Sequence, residues 1–449
     1  MASIGFVKPR RWLVVLFGTV LVLAVIGWIN RGPVDVPRDM PRIDIPPALA
    51  KIDFAAALVS ADKAVADKAR DARAHADDWH MHEALAAALL GRARLTGSFD
   101  DYLAARKAAD AGFAVVKNPI IGPHFIRASI ALATHRLDDA AADLDKMDHY
   151  AAPAAQTVAE ATALRGDIAL YRGHYEDALR LYAAAAKSDS WYGLPYRRAI
   201  IASHTGTFDE ARAALAEADT VNRFPSPAFR SDILLRQGEL DLAQGDWPAA
   251  SAKFAEANHL YPGAPRIQMR VAQMLALAGG IDAAIREFVR IVAATGQPEA
   301  MDIAAGLYRA KGDAAHSKLW SDRAGAIWAQ RLAQLPEAAW GHALEHELAF
   351  GDPSRALAYA KADASQRPFG VALIGLAKAL TANRQPQAAA ALLEKVNASG
   401  WQSVEQHLAL ADAYTLLGNS DGVAAERAAA LAINPKALGR NPAFVWLDH

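Results

Sequence analysis

The string His342-Ala343-Leu344-Glu345-His346 has the residue types and spacing of metal chemistry. On a helix, positions i, i+3 and i+4 share one face. Two imidazoles there can grip a zinc ion while the carboxylate polarises a water for hydrolysis. A further ligand must come from elsewhere, and Glu394, Glu405 and Glu426 remain by elimination. Motifs this short recur by chance, so the string has to be judged with the helices that carry it. His80-Met81-His82-Glu83 is weaker. Alternate residues of a helix point more than a quarter-turn apart, so one ion cannot easily hold both imidazoles, and a partly exposed helix start is expected there. His124 and His135, near the ends of one expected helix, should hydrogen-bond to loops. Trp191, Tyr192 and Tyr196 should lie between units as core rather than form a ligand platform.

Other chemistries have no residues to run on. There is no cysteine, which excludes zinc ribbons, iron–sulfur clusters, thiol catalysis and disulfides. No G-x-x-x-x-G-K-S/T cradle or G-x-S-x-G elbow occurs. Lys plus Arg number 48 against 49 Asp plus Glu, a net charge of −1. Binding through phosphates calls for a basic excess or stripe, so nucleic acid is not an expected partner. No cofactor is expected, and no enzyme.

Residues 12–29 form an uncharged run of 18 from Trp12 to Ile29. As a helix it spans roughly 27 Å, close to the hydrocarbon thickness of a bilayer, with Trp12 and Trp28 at its two ends. The run is longer than a signal-peptide core and no A-x-A site follows, so an uncleaved transmembrane anchor is expected. Lys8, Arg10 and Arg11 in the tail 1–11 favour a cytoplasmic amino terminus. The spacer 30–47 holds prolines 33, 37, 41, 46 and 47, which favour extended polyproline-like geometry reaching roughly 46 Å.

Three segments repeat one pattern: RGHYEDALRLYAAAAKSDS (172–190), QGDWPAASAKFAEANHLYP (244–262) and LGNSDGVAAERAAALAINP (417–435). A turn with Gly joins two helices, small residues recur at fixed offsets, and Pro or Ser closes the unit. The best unit, 231–264, has Gly238, Gly245-Asp246-Trp247, Ala250, Phe254, Ala257 and Pro262 at positions 8, 15–17, 20, 24, 27 and 32. The chain thus resembles the tetratricopeptide repeat family, of the membrane-anchored bacterial type. Repeats are expected to start at 83, 121, 159, 192, 231, 265, 298, 337, 370 and 404. Small residues at 8, 20 and 27 let two helices approach, and Tyr182, Phe254 or Phe288 at 24 fills the space between units. Repeat 298–331 departs with Ser317 and Ser321, and 370–403 has Asn383-Arg384-Gln385-Pro386 for a turn glycine.

The resemblance implies an all-α, right-handed helix-turn-helix superhelical solenoid of about ten repeats. Its expected parts are capping helices over 48–82, a solenoid over 83–437 and an apolar tail, 438–449, folding back over the last repeat. It also implies a concave groove, lined by first helices, that holds peptides or segments of protein partners. In that frame His342 and Glu345 face the groove and His346 lies in the packing between units. Glu239 and Leu242 are further groove candidates.

The leading expectation is a non-enzymatic scaffold held in a bacterial inner membrane by one helix, its solenoid in the periplasm. One alternative is a metal-binding protein or hydrolase using His342, Glu345 and His346. A second is a cytoplasm-facing regulator of a membrane enzyme, although the rubredoxin-like cysteine pairs of one such group are absent.

Overall fold

The structure is a computed structural model that describes residues 44–439 apart from 48, 119–121, 151–152, 189–190 and 192. The expected tail 1–11, the anchor 12–29, most of the spacer and nearly all of 438–449 lie outside the described residues. No described helix is long and apolar enough to cross a membrane.

The described residues form twenty-one α-helices, one leading helix and ten hairpins, with no strand. The leading helix α1 is Phe54–Ala74. Hairpin 1 pairs α2 (Trp79–Thr96) with α3 (Phe99–Val115), and hairpin 2 pairs α4 (His124–Ala133) with α5 (Leu137–Met147). Hairpin 3 is α6 (Ala155–Tyr171) and α7 (Tyr175–Ser188); hairpin 4 is α8 (Gly193–His204) and α9 (Phe208–Val221). Hairpin 5 joins α10 (Pro227–Ala243) to α11 (Trp247–Leu260), and hairpin 6 joins α12 (Pro265–Leu277) to α13 (Ile281–Thr295). Hairpin 7 has α14 (Pro298–Ala310) and the longer α15 (Ala314–Gln334); hairpin 8 has α16 (Pro336–Phe350) and α17 (Pro353–Gln366). Hairpin 9 is α18 (Gly370–Ala382) with α19 (Pro386–Ala398), and hairpin 10 is α20 (Val404–Leu417) with α21 (Ser420–Ile433). All ten begin within four residues of the starts read from the sequence.

Local chemistry sets these boundaries. Asp53, Ser226, Asp246 and Ser403 accept a backbone N–H at their helix starts. Proline opens α12, α14, α16 and α19, where its missing N–H costs nothing. Within hairpins, the small residue and the aromatic ring fit as a pair. A Cβ on Gly238 would lie 2.5 Å from the Phe254 ring, and one on Gly166 would overlap Tyr182. Phe254 is fully buried, which contributes about 1.5–3 kcal/mol by removal from water. The turn of hairpin 9 keeps the same backbone without glycine, with Arg384 at φ 59°.

The solenoid winds back onto itself. Phe54 N–H donates to the Pro262 carbonyl at 3.2 Å. Gln297 donates to the Thr96 carbonyl, His135 Nδ1 meets the Glu337 carbonyl, and Gly370 N–H donates to the Tyr175 hydroxyl, at sequence separations of 201, 202 and 195. Gln402 N–H donates to the His204 carbonyl at 2.8 Å, and Asn434 donates to the Leu242 carbonyl. The turns of hairpins 1 to 5 therefore meet the segments leading into hairpins 7 to 10 and the segment after hairpin 10. One superhelical turn takes six hairpins. Turn meets linker along a continuous seam, so successive superhelical turns pack edge to edge.

Candidate functional site

First helices place one polar side chain after another on the inner face. Arg197 of α8 holds Asp167 of α6 with two bonds, 2.8 and 2.9 Å. Tyr196 donates to Asp232 of α10 and accepts from Arg236 Nε at 2.9 Å. Glu239 accepts from Arg236 at 3.1 Å and from Arg270 of α12 at 3.1 and 2.9 Å. Arg266 lies 3.5 Å from both Asp232 and Glu239. Apart from Arg236–Glu239, both on α10, each pair spans adjacent hairpins, so the ladder fixes their spacing as well as the charge pattern.

Closure of the turn brings distant hairpins to one interior. Arg94 of α2 feels the charges of Asp167 and Arg197. Tyr171 of α6 feels Arg367, Asp167 and Arg236. Burial and neighbouring charges act together on these groups. Burial alone would raise the Glu239 carboxyl, but Arg236, Arg270 and Arg266 outweigh it and hold it at about 2. Burial drives the His204 imidazole down to about 4, with the Arg236 charge adding to the effect. His342 is lowered mainly by burial, and His135 is pushed well below its ordinary value by burial and by Arg367.

The side chains of the H-x-x-E-H string part company. His342 stacks on Trp328, with centroids 5.4 Å apart and 8° between planes, and lines an interior cavity. Glu345 turns forward and accepts from Lys378 Nζ of α18 at 2.8 Å. His346 turns back to Asp302 of α14, its Nδ1 2.7 Å from the carboxylate, which also accepts from Trp328 Nε1. The metal alternative is corrected on this geometry, since three side chains aimed at three neighbours cannot enclose one ion. Among the described residues no group of three or more His, Asp or Glu is placed to hold a metal. Glu394 accepts from Tyr414 and Glu426 pairs with His407, both far along the chain in hairpins 9 and 10.

Glu239 sits at the centre of the ladder. Leu242 does not face the interior: it is 3% exposed, in a core cluster with Ala250 and Phe254 of α11. The second helix covers that side of α10. His124 bonds to Asp143 of α5 at 2.8 Å, a partner helix and not a loop. His135, at φ 60° where neighbouring turns carry glycine, reaches across the seam to Glu337 and Arg367. His80 bonds to Asp78 and His82 to the Ala76 carbonyl. Sequence reasoning missed Asp167, Arg197, Arg236 and Arg270. The available signal was that Arg236 and Arg270, and likewise Asp232 and Arg266, recur one repeat apart on first helices.

No protein-family model matches the chain, and neither does any curated protein. Among solved structures it is similar to yeast Tom70, at 15% identity over 82% of this chain and 95% of that one, with a TM-score of 0.35. A tetratricopeptide repeat protein from Parabacteroides merdae matches at 15% identity over 54% and 93%, with a TM-score of 0.34. A Rap protein complexed with competence and sporulation factor matches at 12% over 71% and 98%, with a TM-score of 0.42.

Proposed function

We propose that the chain is a non-enzymatic scaffold that takes an extended segment of a protein partner against the inner faces of its first helices. The observation that carries this reading is the convergence of Arg94, Tyr171, Arg197, Arg236 and Glu239 from four hairpins on one interior. Charged and aromatic groups presented in register can hydrogen-bond a peptide backbone and pair with its charges. Fold alone does not license a function, so the argument rests on these groups.

The uncharged run 12–29 supports a single membrane anchor, and the cationic tail before it supports a periplasmic solenoid in a bacterial inner membrane. Assembly or maturation of an envelope complex is the matching role. A phosphatase or lactamase fusion after residue 449 tests the topology.

The binding reading is tested by placing a photo-crosslinking residue at Arg266, inside, or at Leu319, 48% exposed on the second helix of hairpin 7. In the full-length protein, a reproducible adduct with one protein from the interior position alone is expected. Equal labelling from both positions, or none from the interior, contradicts it.

A further inference from the structure

The turns of hairpins 1, 3, 4 and 5 carry glycine at positive φ, as Gly97, Gly173, Gly206 and Gly245. The turn of hairpin 2 has His135 there instead, at φ 60°. Positive φ costs a side chain energy that glycine does not lose, so the contacts of the imidazole must offset it. Both ring nitrogens reach the next superhelical turn. Nδ1 lies 3.3 Å from the Glu337 carbonyl oxygen of α16, and Nε2 lies 3.1 Å from Arg367 Nη1, just after α17. The ring also tilts against Tyr171 of α6, with centroids 5.8 Å apart.

These partners dictate how many protons the ring carries. A carbonyl only accepts and a guanidinium only donates, so Nδ1 holds the proton and Nε2 offers its lone pair. A second proton, on Nε2, would point at the Arg367 N–H and set one cation beside another. Arg367 is not free to swing aside. Asp363 holds its Nε and Nη2 at 2.8 and 2.9 Å, and the residue is 8% exposed. The other titratable groups facing the ring are His342 of α16, whose charge would also oppose a proton, and the Tyr171 phenol. On its own turn, Arg136 is paired with Asp139. Burial and Arg367 push the imidazole well below its ordinary 6.5.

The two edges that meet here have separate cores. Hairpins 2 and 3 pack around Leu137, Leu144 and Leu164, and hairpins 8 to 10 around Leu344, Leu357 and Trp401. Tyr171 and Tyr175 of hairpin 3, both partly buried, reach from the first side to the second. Each core keeps its own contacts when the edges part, so the seam opens at less cost than a hairpin unfolds. We infer that His135 and Arg367 form a pH-sensitive latch: proton uptake by His135 parts hairpins 2 and 3 from hairpins 8 and 9 while the helices stay folded. The closed state refuses the proton and the open state takes it at the ordinary value. Closure is therefore fully stabilised above pH 6.5 and loses that stabilisation below it. From pH 7 to pH 5 the open-to-closed ratio should rise by up to about 25-fold. His204 is not equivalent, since its stack on Trp401, with centroids 4.3 Å apart, survives a charge on the ring. The latch goes beyond the partner-binding reading, which concerns the inner faces of the first helices.

The test is double electron–electron resonance on the detergent-solubilised full-length protein, spin-labelled at Glu176→Cys and Lys361→Cys, exposed positions on the two sides of the seam. The chain has no other cysteine to take a label. One distance is expected at pH 7 and a second, longer one at pH 5, with helical circular dichroism retained. His135→Gly and His135→Asn, both tolerant of positive φ, should keep the short distance at both pH values. A single distance at both pH values in the parent overturns the inference, as does loss of helix in step with the longer distance. So does a longer distance at pH 5 that both variants retain. A longer distance in both variants already at pH 7 overturns it too, since His135 is then a strut and its proton is irrelevant.

Discussion

Gly173, in the turn of hairpin 3, lies so close to Pro368 that a Cβ on it would come within 2.6 Å of the Pro368 carbonyl oxygen. Gly312, in the turn of hairpin 7, has nearly the same backbone, φ 80° against 77°, and nothing within 4 Å. The two glycines answer different demands. Both supply a left-handed turn, but only Gly173 also admits the next superhelical turn.

That difference is measurable. Gly312→Ala carries only the left-handed backbone penalty, about 1–2 kcal/mol. Gly173→Ala carries the same penalty and a clash with backbone, an added 1–3 kcal/mol or about that. Urea unfolding of the two variants should separate them by that excess. Equal losses would mean that the seam does not hold at Pro368.

Acid should loosen the protein between pH 7 and 5. His135, His204 and His342 are held neutral below their ordinary 6.5, foremost by burial. His135 faces Glu337, Arg367 and His342, while His204 faces Arg236, Glu239 and the Trp401 ring. Each lowered imidazole contributes stability that is complete above pH 6.5 and shrinks as the unfolded chain takes up its proton. For His204 the loss continues down to about pH 4. This residue alone removes about 2 kcal/mol between pH 7 and 5. Unfolding midpoints at the two pH values check it, and His204→Phe, which keeps a ring on Trp401, should flatten part of the slope. A midpoint independent of pH over this range contradicts the account.

Glu239 titrates lower and does not enter that window. Its carboxyl stays charged down to about 2, so its stabilisation is whole above pH 4.5 and fails between 4.5 and 2. Removing it at neutral pH leaves Arg236 and Arg270 facing one another. Glu239→Ala should cost about 3–5 kcal/mol in denaturant unfolding, and Arg270→Met combined with it should recover part of that. A loss within experimental scatter would show the ladder to be ornamental.

The hairpins were legible because their cause is local. Gly238 and Phe254 belong to one repeat, and the small residue exists to receive the ring. Asn383-Arg384-Gln385-Pro386 lacked the turn glycine yet made the same turn, since Arg384 adopts the left-handed conformation. Closure of the superhelix was not legible. It depends on small rotations summed over six hairpins, and no local pattern says that Gly173 will meet Pro368. His135 did offer a clue, as a large residue where neighbouring turns use glycine. The H-x-x-E-H spacing misled because sharing a helix face does not bring side chains together when each has its own neighbour: Trp328, Lys378 and Asp302 take one apiece.

The central claim is that six hairpins complete a turn and bring the chain back against itself. A cysteine-free chain makes this directly testable. A Cβ built on Gly206 lies 3.2 Å from the Gln402 Cβ, close to the separation a disulfide spans. In the Gly206→Cys, Gln402→Cys double variant, mild oxidation should close an intramolecular crosslink in most molecules, read as a gel-mobility shift reversed by reductant. Two thiols that stay free under the same oxidation, in a protein with native helical content, would contradict the closed turn.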